Sequence, residues 1–309
     1  MISVFWNRSE RRLRAFWRVL LLMLAMAVQI AAVVLLFGET MEDPVIQNLV
    51  FGGLGILNIF LAAKWWDHRP MRELGMQMGR AWWADFTFGL LLGFLLMALV
   101  FAVEYSQGWV AVTGTLVTVN GASFLSSLML TTLVMIMIGF NEEMIFRGYL
   151  LKNCTEGFSR LPGKLAPLLA ALLISSLFGL VHARQPNATG VSTLNIILVG
   201  ILLAMPYLIT GRLGLSIGLH IAWNFTEGVV FGFPISGTSN WPASFVAIEQ
   251  SGPERWTGGP FGPEGGLLCL SVTALGLLLV IAWVRFREGP VNIALGITRL
   301  PERADPLST

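Results

Sequence analysis

The chain has 309 residues, 55% of them hydrophobic and only 12% charged, with a formal net charge of +2 and a mean hydropathy of +0.72. A water-soluble domain carries roughly 25% charged residues, so this composition excludes an ordinary soluble fold and describes a polytopic membrane protein. Basic residues are few and lie beside apolar runs, and no nucleic-acid-binding signature is present; Cys154 and Cys269 fall in different segments, and no disulfide is expected.

Eight apolar segments follow in order, at about 17–37, 45–63, 83–103, 123–146, 165–183, 191–210, 213–231 and 267–285. Each approaches the roughly 20 residues that a helix needs to cross a bilayer. Uninterrupted apolar runs do not fit the alternating pattern of an outer-membrane strand, so helices are the spanning element. The first run, Val19 to Phe37, is too long for a signal-peptide core of about 7–15 residues and reads as a retained span. The expected fold is all-α: a polytopic bundle of about eight transmembrane helices with both termini cytoplasmic.

The orientation comes from the loops. The N-terminal arginines, the loop 64–82, the loop 147–164, Arg212, Arg285 and Arg287 all fall on one side of an eight-span arrangement. Glu39, Glu42, Asp43, Glu104 and the Gly/Pro/Trp-rich loop 232–266 fall on the other. Positive charge marks the cytoplasmic face. The chain divides into spans 1–3 (1–122), a polar-residue-bearing core (123–231), an extracytoplasmic loop (232–266), and a last span with a cytoplasmic tail (267–309). Trp241 and Trp256 are expected at the membrane interface. Gly214 with Gly218, and Gly228 with Gly232, form small-xxx-small pairs that read as close helix packing.

The fourth segment leads from Phe124 straight into Asn141-Glu142-Glu143-Met-Ile-Phe-Arg147. A carboxylate at bilayer depth costs several kcal/mol unless it is paired or wetted. Glu143 and Arg147, four apart, share a helix face in the favourable acid-before-base order. Glu142 is turned about 100° from Glu143 and is free to point into the bundle. A bland interfacial cluster with Arg147 snorkelling to the headgroups fits this motif alone equally well. The three histidines weigh against it. His68 sits in a basic loop beside two tryptophans, but His182 ends the fifth segment and His220 lies inside the seventh. Phe178 shares a face with His182, and Asn224 with His220.

Taken together, Glu142-Glu143-x-x-x-Arg147, Phe178-x-x-x-His182 and His220-x-x-x-Asn224 resemble the three-motif signature of the CAAX prenyl protease and bacteriocin-processing (CPBP, or Abi) family, which includes the type II CAAX prenyl endopeptidases. The resemblance covers about residues 123–231. It implies an intramembrane endopeptidase in which Glu142 activates a water, His182 holds or polarises that water, and His220 with Asn224 donates to the developing oxyanion. Glu143 and Arg147 then orient the site and Phe178 shapes access to it. The spacing alone only permits this division of labour.

A metal is the open element of that expectation. Two histidines and a glutamate can form a zinc site, here His182, His220 and Glu142, while glutamate as base allows a metal-free route. The sequence lacks the His-Glu-x-x-His helix of many zinc proteases. The expected partners are the lipid bilayer and a membrane-associated peptide or lipidated protein of CAAX type, entering from the lipid or the cytoplasmic side. The expected location is a prokaryotic plasma membrane. A proton- or ion-coupled transporter and a non-catalytic immunity or scaffold protein are the alternatives.

The segment positions leave one tension. Glu142 falls near the cytoplasmic end of its span and His182 near the outer end of its own, whereas one site requires them to meet. A fourth helix running on to about Lys152 would lower Glu142 toward mid-depth.

Overall fold

In a computed structural model, described for residues 2–8, 10–239, 241–294 and 297, the chain is an α-helical bundle. The expected tail from 298 onward lies outside the described residues. Among the described residues, seven helices are long and apolar enough to cross a membrane: α1 (Ala15–Phe37), α2 (Pro44–Trp65), α3 (Arg80–Ser106), α4 (Phe124–Gly157), α5 (Leu165–His182), α6 (Gly190–Thr210) and α8 (Leu267–Glu288). The protein is an integral membrane protein.

The expected seventh span is a helix of a different kind. α7 covers Gly214–Asn224, only 11 residues, and continues without a break as a π-helical stretch, Phe225–Val230. Every residue of α7 is buried. It is the axis of the bundle, so it faces neighbouring helices rather than lipid.

Glycines let that axis pack closely. Gly214 and Gly218 lie against the backbone of Trp82 and Phe86 on α3, and Gly89 and Gly93 of α3 answer from the other side. On α4, a Cβ at Gly139 would come within 2.7 Å of Ile221 Cγ1 and 2.9 Å of its backbone nitrogen. These contacts fix the rotation of α3 and α4 about α7. Gly228 and Gly232 do not form a second helix-packing stripe. Gly228 meets the side chains of Ile235 and Trp241, and Gly232 has left the helix at φ 70°.

α4 corrects the expected end of the fourth span. It runs as α-helix over Phe124–Glu143, as π-helix over Met144–Leu151 and again as α-helix over Lys152–Gly157. Glu142 therefore sits near the middle of a 34-residue rod, about 27 Å along it at 1.5 Å per residue.

The basic end of the bundle is held by a buried ion cluster. Arg12, Arg18 and Arg69 converge on Glu156, at 3.1, 2.9 and 2.6 Å. Arg18 also pairs with Asp67. The cluster joins the N-terminal segment, the turn after α2 and the end of α4. Cys154 and Cys269 are both free thiols, as expected.

The opposite end carries the only sheet of more than two-residue strands among the described residues. β1 (Val110–Thr118) pairs antiparallel with β2 (Ala243–Gln250), with a register shift between Val112 and Gly114. This ribbon ties the α3–α4 connection to the loop 232–266, two segments read from sequence as separate loops. Glu104, expected among the outer-loop acids, is instead buried at the end of α3, where it accepts from Gln250 Nε2 at 2.8 Å.

Candidate active site

The acid pair lies where α4 crosses α7. Glu143 is fully buried, and its Oε1 accepts from Arg147 Nη1 at 2.6 Å. The same oxygen is 2.8 Å from His220 Nδ1. Arg147 also donates to the carbonyl of Gly200 on α6 at 3.2 Å, and its guanidinium lies 4.4 Å from the centre of the Phe178 ring. One ion pair thus gathers four helices: α4, α5, α6 and α7.

Glu142, turned away from this pair, lines a cavity of about 350 Å³. Its Oε2 lies 3.8 Å from His220 Nε2. His182, His220 and Asn224 line the same cavity, as does Phe178. The His182 ring is 4.5 Å from that of Phe178, and its Nδ1 meets the Phe178 carbonyl at 2.8 Å. With Nδ1 donating to that carbonyl, Nε2 is the nitrogen available to a bound molecule. The longer α4 removes the depth conflict, and Glu142 and His182 line one cavity. Glu143 and Arg147 stay behind the wall.

Local backbone contributes to the arrangement. The π-helical turns begin immediately after Glu143 and immediately after Asn224. Such turns accommodate an extra residue, and they recur at functional sites because they re-aim the side chains beside them. Here one begins inside the first motif and contains Arg147, and the other follows the third motif directly.

One contributor was absent from the sequence reading. Glu264, in the turn Pro263–Gly265 before α8, also lines the cavity. Its carboxylate accepts from Trp223 Nε1 at 3.1 Å, and from Ser236 through the backbone nitrogen at 2.9 Å and the hydroxyl at 2.5 Å. Its backbone carbonyl accepts from Asn195 at 3.0 Å. The loop 232–266 is thereby pinned over the site. Trp241 is part of this cover; it lines the cavity and packs with Ile235 and Val229. A carboxylate in a Gly/Pro-rich loop gives no periodic signal, so only its contacts reveal it.

A second, mainly apolar groove of about 360 Å³ runs between α1, α2, α4 and α5. It is lined by residues such as Met23, Ile30, Phe51 and Val181, and it shares Asn48, Ile138 and Glu142 with the polar cavity. Glu142 therefore stands between a polar chamber and an apolar one.

The site lies within a recognisable sequence segment. Residues 123–226 match the type II CAAX prenyl endopeptidase Rce1-like family. The matched segment holds all three motifs, from Glu142 to Asn224, and stops short of Glu264. The chain is also 27% identical over 191 residues to YyaK of Bacillus subtilis (strain 168), a protein described as uncharacterized. That similarity covers 60% of this chain and 61% of YyaK. No solved structure matches the chain.

The zinc alternative requires His182, His220 and Glu142 to surround one point. Among the described residues, no three His, Cys, Asp or Glu side chains are grouped so as to hold a metal ion. His220 Nδ1 is taken by Glu143, which leaves Nε2 facing Glu142. As placed, the three donors do not form a zinc-binding set.

Proposed function

We propose that this protein is an intramembrane endopeptidase that cleaves membrane-associated substrates with a water activated by Glu142. The observation that carries the reading is the shared cavity: Glu142, His182, His220 and Asn224, from three helices, line one space of about 350 Å³. A structural ion pair accounts for Glu143 and Arg147, but it gives no reason for the other four polar side chains to face the same chamber.

Glu142 takes a proton from a water held between it and His182 Nε2. The resulting hydroxide adds to the scissile carbonyl carbon, and the carbonyl oxygen becomes an oxyanion. The Asn224 amide donates to that oxygen, as does His220 through Nε2 when its ring is protonated. Collapse of the adduct breaks the C–N bond, and Glu142 returns its proton to the leaving amine. A positioned acid–base group of this kind contributes about 10²–10⁴ in rate, and an oxyanion donor about 10²–10³. Glu143 holds His220 by Nδ1 and so aims Nε2 at the chamber. The apolar groove beside Glu142 suits the lipid chain or apolar stretch of a tethered substrate, including a prenylated one. A prokaryotic plasma membrane is the location this reading carries.

The test is cleavage of a library of lipid-anchored and prenylated peptides by the detergent-purified protein, comparing wild type with Glu142→Gln and His182→Ala. Both variants should fold and lose about 10²-fold or more in turnover. Unchanged turnover in Glu142→Gln overturns the mechanism. A folded wild type that cleaves nothing favours the scaffold alternative.

A further inference from the structure

We infer that the cavity receives its peptide from the extracytoplasmic face, the reverse of the cytoplasmic entry that CAAX-type processing leads one to expect. The inference rests on the peptidase reading for what enters, and on charge and geometry alone for the side from which it enters.

Two features of the molecule determine the side. The first is charge. Of the 20 lysines and arginines, only Arg184 and Arg255 belong to the loops at the end that carries the β1–β2 ribbon. Arg147 lies at mid-bundle and two others fall in the tail beyond residue 297; all the rest cluster at the opposite end. Contacts tie that basic end together as one face. Arg69 reaches Glu156, Leu213 N bonds the Gly75 carbonyl, Arg212 pairs with Asp85 and Glu288, and Ala294 N bonds the Leu208 carbonyl. An excess of Lys and Arg in short loops beside the spans marks the cytoplasmic side.

The second is the wall of the cavity. Beyond the helix residues at its floor, it is lined by Pro44 and Gln47 at the start of α2, Gln185 and Pro186 after α5, and Ser236 and Glu264 from the loop 232–266. All of these belong to the end opposite the arginines. Pro44, Gln47, Gln185 and Pro186 are exposed, so no other part of the chain covers the rim they form. Toward the basic end, the floor of the polar cavity is closed by the buried Glu143–Arg147 pair and by the packed side chains of Met144, Tyr149 and Leu213. A polar peptide reaching Glu142 from the cytoplasm would have to pass this core or the apolar groove, whose lining runs on to Met26, Asn58 and Leu150. One arriving from the other side meets the rim directly, with its membrane anchor in the apolar groove that ends at the same carboxylate. The substrate class is therefore a peptide tethered to the membrane with its scissile segment on the extracytoplasmic side.

The side of the rim can be read without any assay of activity. Gln185→Cys and, on the opposite wall, Gln47→Cys are introduced into a Cys154→Ala, Cys269→Ala background, with Arg160→Cys as the marker of the basic end. Intact bacterial cells expressing each full-length variant are treated with a membrane-impermeant maleimide. The expected result is labelling of Gln185→Cys and Gln47→Cys in intact cells, and of Arg160→Cys only after the membrane is opened. Labelling of both rim variants only after opening overturns the inference. A reporter peptide tethered by an outward-facing anchor should then be cleaved, and the same peptide on an inward-facing anchor should not. Cleavage of the inward reporter alone also overturns the inference. If neither reporter is cut while the rim variants label in intact cells, the peptidase reading fails and the facing of the cavity stands.

Discussion

Glu143 and His220 meet at 2.8 Å across the α4–α7 crossing although 77 positions separate them in the chain. The oxygen that receives the imidazole also receives Arg147 at 2.6 Å. A single carboxylate thus holds both the ion pair that makes burial tolerable and the ring that faces the cavity. Removing one partner of a buried charged pair leaves the other uncompensated, which costs about 3–5 kcal/mol.

Glu143→Gln should accordingly lower thermal stability and activity together, with a loss of roughly 10-fold or more in turnover as His220 loses its fixed aim. Asp at this position is too short to reach both partners and should rescue neither. The check is the melting temperature in detergent beside the turnover of a lipid-anchored peptide. A Glu143→Gln protein with wild-type values of both would show that the shared oxygen has no such role.

The close approach at Gly139 gives a purely steric prediction. A side chain there would collide with Ile221, forcing α4 away from α7 and opening the Glu143–His220 contact. Overpacking of this kind costs about 1–3 kcal/mol. Gly139→Val should lose activity with only a moderate fall in stability, while Gly53→Val, where nothing lies within 4 Å, should leave activity unchanged. Equal turnover in the two variants would separate helix spacing from the chemistry.

At the basic end, Glu156 faces three arginines. Glu156→Ala strands those cations in a buried setting, so destabilisation of about 3 kcal/mol or more is expected, far from the cavity. Yield and melting temperature should fall, while turnover per folded molecule stays near wild type. A variant as stable as wild type would mean that water reaches this cluster.

Glu264 pins the loop 232–266 through Trp223 and Ser236. Glu264→Ala should release that cover. Limited proteolysis within 232–266 should become faster, and KM should rise more than kcat falls. Unchanged proteolysis would indicate that the β1–β2 ribbon alone holds the loop.

Much of this molecule was legible in the sequence because hydropathy is a local property. Apart from the fourth, the apolar segments lie within a few residues of the helices, and Glu142, His182, His220 and Asn224, which interrupt them, line the cavity. The errors occurred where local signals end. The fourth helix runs past its expected end because Arg147 and Lys152 read as charges of the loop 147–164. In the structure their partners are His220's anchor Glu143 and, at the basic end, Ile297. The seventh span was drawn as an ordinary crossing, although full burial makes it the axis. The ribbon of Val110–Thr118 with Ala243–Gln250 joins strands more than a hundred residues apart, and no short window of sequence carries that pairing.

The amino-acid sequence by itself determined which stretches enter the membrane, which end of the bundle is basic, and which few polar side chains lie inside it. Those follow from the cost of placing charge or open backbone in hydrocarbon, a cost that each residue incurs wherever its neighbours are. Only the tertiary structure decided that Glu142, His182, His220 and Asn224 share one chamber, that Glu264 joins them, and that the rim lies at the end away from the arginines. Those depend on how each helix is rotated against the next, which contacts such as Gly139 on Ile221 and Gly218 on Phe86 set across long separations in the chain.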